Sequence, residues 1–109
     1  MRQDYNPANA DLLVNINGKL VHRDEAGVSP FDSSVQNGDA VWEGLRLYNG
    51  RIFKLQEHLD RLRKSAELLQ YQDYPSDDEL IAQWKRTLAA NDMSAAVPLR
   101  LPVTRAHQD

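Results

Sequence analysis

Arginines are the residues of this chain whose types and spacing are best suited to chemistry. Arg61 lies in a segment where Leu55, Leu59, Leu62, Ala66 and Leu69 recur at helical spacing. It sits on the flank of that apolar stripe, together with His58 and Ser65. A planar guanidinium in that position could bind a phosphate through its fork of donors. It could equally pair with Glu57 one turn earlier and stay solvated. Arg46 and Arg100 each fall on the more polar face of an alternating segment. Two arginines on sheet faces could clamp a carboxylate, or they could coat a solvated sheet face. Trp42 shares the polar face with Gly44 and Arg46, and its ring suits either a pocket wall or a core. Arg105 and His107 stand at a chain end, the usual place for surface residues.

Other chemistry is excluded. Cysteine is absent, so there is no disulfide, thiolate nucleophile or cysteine-bound metal. His22, His58 and His107 have no short-range ligand spacing, which argues against zinc. There is no G-x-G-x-x-G, no P-loop, no H-E-x-x-H and no serine in a G-x-S-x-G elbow. The 13 basic and 16 acidic residues are interspersed and give a net charge of −3. No basic stripe exists to track a phosphate backbone, so nucleic acid is not an expected partner. No apolar run is long enough for a bilayer, so no membrane association is expected either. The opening Met1-Arg2-Gln3-Asp4-Tyr5-Asn6-Pro7 lacks a signal-peptide core, and the expected location is cytoplasmic.

These side chains need elements to position them, and the sequence supplies local signals for each. Residues 1–10 are polar, contain Pro7 and read as a flexible arm. Residues 11–23 read as a hairpin, because Asn17-Gly18 between apolar runs favours a tight turn. Residues 24–40 are rich in Gly, Pro, Asp, Ser and Asn and read as a loop with one helical turn. Residues 41–48 alternate, with Val41, Glu43, Leu45 and Leu47 on one face and Trp42, Gly44, Arg46 and Tyr48 on the other. Asn49-Gly50 turns this strand back through Arg51-Ile52-Phe53. Residues 55–70 read as a helix with Asp60, Arg63, Lys64 and Glu67 facing water. Residues 77–90 read as a second helix, opened by the Ser76/Glu79 capping box, with Leu80, Ile81, Trp84 and Leu88 as its buried stripe and Asn91 as its stop. Residues 97–105 alternate again, but Pro98 and Pro102 demote them to an edge or irregular strand.

The order hairpin, loop, hairpin, helix, helix, strand predicts an α+β fold, a small antiparallel sheet packed against two helices. At 109 residues there is room for one domain. Compact packing would leave about 6,100 Å² exposed out of roughly 18,000 Å² in the unfolded chain.

Two linked stretches resemble a known family. Asn37-Gly38-Asp39-Ala40-Val41-Trp42-Glu43-Gly44-Leu45-Arg46-Leu47-Tyr48-Asn49-Gly50 resembles the Y-G-x-x-V-F-E-G-I-R-x-Y-x-G stretch of class IV aminotransferases, which are pyridoxal-phosphate enzymes of fold type IV. Ile52-Phe53-Lys54-Leu55-Gln56-Glu57-His58-Leu59-Asp60-Arg61-Leu62-Arg63-Lys64-Ser65-Ala66 resembles that family's I-F-x-L-x-E-H-x-x-R-L-x-x-S-A. Asn17-Gly18-Lys19-Leu20-Val21 and Leu99-Arg100-Leu101-Pro102-Val103-Thr104-Arg105 are also similar to family segments. The resemblance implies that Arg61 binds the phosphate of pyridoxal 5'-phosphate, with His58 packing and hydrogen bonding around it. It implies a substrate pocket shaped by Trp42, Gly44, Arg46, Arg100 and Arg105. Overall the chain resembles the branched-chain and D-amino-acid members of the family, and the Trp42-Glu43-Gly44-Leu45-Arg46 wording looks closer to the branched-chain enzymes than to the lyases.

The chain departs from that pattern in four places. Asn37 stands where a tyrosine is usual, Pro98 and Pro102 interrupt a strand, and Ala106 replaces a glycine. Family enzymes are also longer, and the lysine that forms a Schiff base with the cofactor lies in their later part. Lys19, Lys54, Lys64 and Lys85 match no such position. Residues 11–109 therefore resemble an incomplete N-terminal small domain, with no catalytic lysine in this chain and no expected turnover of its own. The intact enzyme would be a homodimer that moves an amino group between an amino acid and a 2-oxo acid. The alternatives are a truncated dimerisation or binding module and part of an aminodeoxychorismate lyase.

Overall fold

The computed structural model describes residues 6–93 and 97–104. It contains β1 (Leu13–Ile16), β2 (Lys19–His22), α1 (Ser33–Asn37), β3 (Ala40–Tyr48), β4 (Arg51–Ile52), α2 (Leu55–Leu68), α3 (Asp77–Ala90) and β5 (Val97–Thr104). The fold is α+β with antiparallel pairing throughout, as expected, but the strands form two sheets. One is the β1–β2 hairpin; the other runs β4-β3-β5. Both hairpin turns are Asn-Gly, with φ of 53° and 83° at Asn17 and Gly18 and of 47° and 77° at Asn49 and Gly50. Positive φ at both central residues matches the twist of the flanking strands. No helix among the described residues is long and apolar enough to cross a membrane.

β3 is the central strand, and its alternation holds. Glu43, Leu45 and Leu47 are buried, while Trp42, Gly44, Arg46 and Tyr48 are exposed. Leu45 packs with Leu59 of α2 and with Leu80 and Trp84 of α3 to make the core. Leu59 and Leu62 are its most deeply buried large side chains.

β5 is a regular edge strand, paired with β3 from Val97↔Leu47 to Thr104↔Ala40. The two prolines fit for a definable reason. The carbonyl of Arg46 accepts from the Phe53 N–H on the β4 side at 2.9 Å. The backbone groups of Arg46 therefore point away from β5. Its partner Pro98 belongs to a non-hydrogen-bonded pair and points its own nitrogen to the open edge. Pro102 has the same parity. Neither proline removes a donor from the β3 ladder.

The helices follow their signals with two corrections. The Ser76/Glu79 capping box at the start of α3 is complete, with both hydrogen bonds at 3.2 Å. α2 stops at Leu68, so Leu69 lies beyond the helix and is exposed. Arg63 does not face open water. The connection after α2 brings the start of α3 alongside, and Arg63 Nη2 donates to Asp77 Oδ1 at 2.5 Å. Its guanidinium also stacks 4.7 Å from the Tyr74 ring centroid. That pairing raises the Arg63 pKa and lowers that of Asp77, in each case chiefly through the shared hydrogen bond.

Within the expected arm, Pro7–Asn9 forms a short 3₁₀ turn. Arg23 Nη1 donates to the Asn9 carbonyl at 2.9 Å and ties this turn to the end of β2. The helical turn anticipated in the loop is α1, capped by Asp32, which accepts from Ser34 N–H at 2.8 Å. The hairpin meets α3 through a polar seam. Asn91 Oδ1 accepts from Leu13 N–H at 2.7 Å, and Asn91 Nδ2 donates to the Leu13 carbonyl at 2.9 Å. Asn15 Nδ2 donates to Gln83 Oε1 at 2.9 Å and to Thr87 Oγ1 at 3.0 Å.

The molecule exposes 8329 Å², more than the compact expectation of about 6,100 Å². Part of the excess lines an open groove of about 1710 Å³ between the hairpin, α3 and β5, walled by Asn15, Trp84, Leu99 and Leu101.

Candidate functional site

The pleat of β3 places Glu43 on the apolar face, and only 7% of it remains exposed. A buried carboxylate needs charged or hydrogen-bonding partners. α2 supplies two, one turn apart. His58 Nδ1 lies 2.6 Å from Glu43 Oε1. Arg61 Nη2 donates to Oε1 at 2.6 Å, and Arg61 Nε donates to Oε2 at 2.9 Å. The hydrogen bond from Arg61 is the main reason the Glu43 pKa is held below the ordinary 4.5; burial works against it and the His58 contact adds to it. Glu43 raises the Arg61 pKa in return, first through that hydrogen bond.

An ionised Glu43 carboxylate only accepts, so the nitrogen 2.6 Å away must carry the hydrogen. His58 is therefore the Nδ1–H form, whether or not Nε2 is also protonated. The 3.4 Å approach of Arg61 Nη2 to the same Nδ1 joins two N–H groups and is packing rather than a hydrogen bond.

Arg61 is used on one edge only. Glu43 takes Nε and one side of Nη2, and Nη1 has no partner among the described residues. The Arg61 side chain remains 66% exposed although its partner is nearly buried. A guanidinium has five N–H donors in a rigid fork, so its Nη1–Nη2 end can hold a second, oxygen-rich anion. Arg61 takes Glu43 across the sheet–helix interface and makes no ion pair with Glu57 among the described residues. Sequence reasoning placed His58 and Arg61 together but missed Glu43. The signal was available: Glu43 is the one acid on a face otherwise built of Val41, Leu45 and Leu47.

The remaining candidates gather on the opposite face of the sheet. Trp42, Gly44 and Arg46 alternate along β3, and Arg100 of β5 lies directly across from Gly44. The Arg100 guanidinium stacks 4.7 Å from the Trp42 ring centroid. Trp42 is 57% exposed, so it is not a core residue. Its ring leans over Gly44, where an added Cβ would meet Trp42 Cζ3 at an ordinary contact distance of 3.5 Å. Packing within the chain therefore does not itself require glycine at this position. Arg46 and Arg100 form no ion pair among the described residues. The face is cationic and aromatic, and suits a carboxylate beside an apolar group. β3 thus separates Arg61 on its helix side from Trp42, Arg46 and Arg100 on its open side. Arg105 lies outside the described residues.

Known proteins resemble this chain in sequence and in fold. The family model described as amino-transferase class IV matches residues 40–109. The chain is 48% identical over 99 residues to branched-chain-amino-acid aminotransferase-like protein 2 of Arabidopsis thaliana, covering 91% of this chain and 18% of that protein. It is 38% identical over 98 residues to a D-alanine aminotransferase of Listeria monocytogenes, covering 90% of this chain and 34% of that protein. A solved branched-chain amino acid aminotransferase from T.th., in complex with N-(5'-phosphopyridoxyl)-L-glutamate, superimposes with a TM-score of 0.80 at 26% identity. That match covers 91% of this chain and 35% of the other. The chain thus spans about a third or less of the relatives it matches.

Proposed function

Because this chain belongs to the class IV aminotransferase family, we propose that it supplies the phosphate-holding arginine and part of the substrate wall of a pyridoxal-phosphate-dependent aminotransferase. The reaction would move an amino group between an amino acid and a 2-oxo acid. The observation that carries this reading is Arg61, anchored by Glu43 on one edge with its other edge open. The residues present fit a phosphate ester, since the free donors are charged, exposed and held by a partner beneath them. The bound cofactor would supply the electron sink for chemistry at the amino-acid carbon. Trp42 would pack against the substrate side chain, and Arg46 and Arg100 would orient its carboxylate.

The test compares pyridoxamine 5'-phosphate with pyridoxamine, neither of which has an aldehyde to react with surface lysines. The phosphorylated form should bind this chain more tightly, and Arg61→Ala should abolish the difference. Equal binding of both forms to the wild-type chain would sink the proposal.

The four lysines, Lys19, Lys54, Lys64 and Lys85, are all exposed, and among the described residues no lysine side chain hydrogen-bonds or ion-pairs with Arg61, Glu43 or His58; the one link is the Lys54 backbone carbonyl, which accepts from the His58 N–H at 3.1 Å. None is placed to hold the cofactor covalently or to move a proton beside it. The 109 residues alone should therefore show no amino transfer. Turnover by purified chain free of host enzymes would overturn this.

A branched-chain substrate is the finer proposal. It is supported by the greater identity to the plant branched-chain-like relative, 48% against 38% for the D-alanine enzyme. A longer form of the protein that transferred nitrogen from D-alanine but not from L-leucine would refute it. Homodimer formation is supported by the exposed apolar side chains Val28, Phe31 and Val35 around α1. A monomer by sedimentation at high concentration would count against it.

A further inference from the structure

We infer that Glu43 is the positioning residue for the anion-binding edge of Arg61, an inference that rests on the reading of Arg61 as the phosphate arginine. An acid beside a phosphate-binding cation would ordinarily be expected to weaken it, because the acid offsets the charge that attracts the anion. The geometry here assigns the opposite sign. Glu43 occupies the Nε side of the guanidinium and leaves the Nη1 end free, so it does not compete for the donors a phosphate would use. It also fixes a long, exposed side chain. The carboxylate is itself fixed, since it is 8% exposed at the side chain and held by His58 Nδ1–H at 2.6 Å. The order of events in space is strand, carboxylate, guanidinium, ligand. β3 sets Glu43, Glu43 sets the plane of Arg61, and the plane sets where two phosphate oxygens can be met. A flexible arginine would lose rotamer freedom on meeting the ligand, whereas one already held loses little.

The experiment is a titration of the full 109-residue chain with pyridoxamine 5'-phosphate, with inorganic phosphate as a parallel arm. Wild type, Glu43→Gln, Glu43→Asp and Arg61→Ala are compared. Glu43→Gln removes a negative charge next to the ligand, yet it should raise Kd for pyridoxamine 5'-phosphate roughly three- to tenfold. A Kd that is unchanged or lower would overturn the inference, because removal of the repelling charge alone would tighten binding. The inorganic phosphate arm should move in the same direction, with weaker binding throughout; equal affinity for the two ligands would mean a generic anion site and would overturn the assignment to a cofactor phosphate. If Glu43→Gln does not fold, as judged by its amide spectrum, Glu43→Asp keeps the charge but shortens the reach, and it should weaken binding in the same direction.

A second readout does not depend on ligand. The Arg61 Nε–H should give a slowly exchanging proton resonance in the wild-type chain that disappears in Glu43→Gln. Its absence from the wild type would overturn the inference directly. The two levels fail differently. Wild-type binding that Arg61→Ala leaves unchanged would discard the phosphate reading of Arg61 and this inference with it. Binding that depends on Arg61 but ignores Glu43 would discard this inference alone.

Discussion

Glu43 contributes stability in a defined pH window. Its pKa in the folded chain is lowered from 4.5, first by the Arg61 hydrogen bond. The unfolded state therefore binds more protons than the folded state as pH falls below 4.5. The stabilisation is fully present above that value and is lost as pH falls through the lowered pKa. Glu43→Gln should remove this share, so that the proton uptake on acid unfolding falls by about one. Stability curves of wild type and variant that stay parallel from neutral pH down to acid would show that the pair carries no linkage. Gly44 gives the contrasting residue-scale expectation. It has no positive φ, and a Cβ would make only an ordinary contact with Trp42. Gly44→Ala should change stability by no more than about 0.5 kcal/mol. A large loss in thermal or urea unfolding would mean that Trp42 cannot accommodate even a methyl group.

The elements were legible wherever their signals are local. Both Asn-Gly turns, the capping box at Ser76 and the alternation of β3 are read within a few residues, and each is present in the fold. What was not legible joins residues far apart. Glu43 and Arg61 are 18 positions apart and Asn91 and Leu13 are 78 apart, and no period or propensity links them. The candidate site was legible residue by residue, because Arg61, Trp42, Arg46 and Arg100 stand in recognisable stretches. Its division between two faces of β3 follows from pairing with β5 and packing of α2, and those are set by the whole chain. The prolines of β5 show the middle case: their presence in a strand was readable, but the side to which they point needed the register. That register makes a prediction. Leu101 pairs with Glu43 with its N–H directed at β3, whereas Pro102 points outward. Leu101→Pro should orphan the Glu43 carbonyl acceptor and cost about 1–3 kcal/mol from that loss alone. Pro102→Thr should leave stability nearly unchanged while restoring a donor to the open edge. A nearly harmless Leu101→Pro would show that its N–H points to the open edge and that the register is wrong by one residue.

At the scale of the whole molecule, the two sheets are held to α3 by different forces. The three-stranded sheet meets α3 through apolar contact, in which Leu45 and Leu59 pack with Leu80 and Trp84. The hairpin meets the same helix through Asn15, Gln83, Thr87 and Asn91, and the backbone carbonyl of Gly18 accepts from Arg86 Nη1. Between the hairpin and β5 lies the open groove, where the Tyr74 hydroxyl is buried without a hydrogen-bond partner among the described residues. A two-stranded ribbon on its own is marginal in water. Its stability must come from the polar seam, and each bond in that seam has a net worth of only about 0.5–1.5 kcal/mol. The hairpin should therefore open more readily than the core, as a unit of its own. Asn91→Ala removes both bonds to the Leu13 backbone and the bond to the Thr87 carbonyl. It should lower the opening free energy of the hairpin by about 1–3 kcal/mol. Leu59→Ala in the core should cost about 2–5 kcal/mol and act on everything. Hydrogen exchange separates the two: Asn91→Ala should lose protection at Val14 and Ile16, where the hairpin bonds lie, and keep it along β3. A loss of protection spread evenly over β1 and β3 would show that the chain opens as a single cooperative unit, and that the polar seam is as strong a joint as the apolar core.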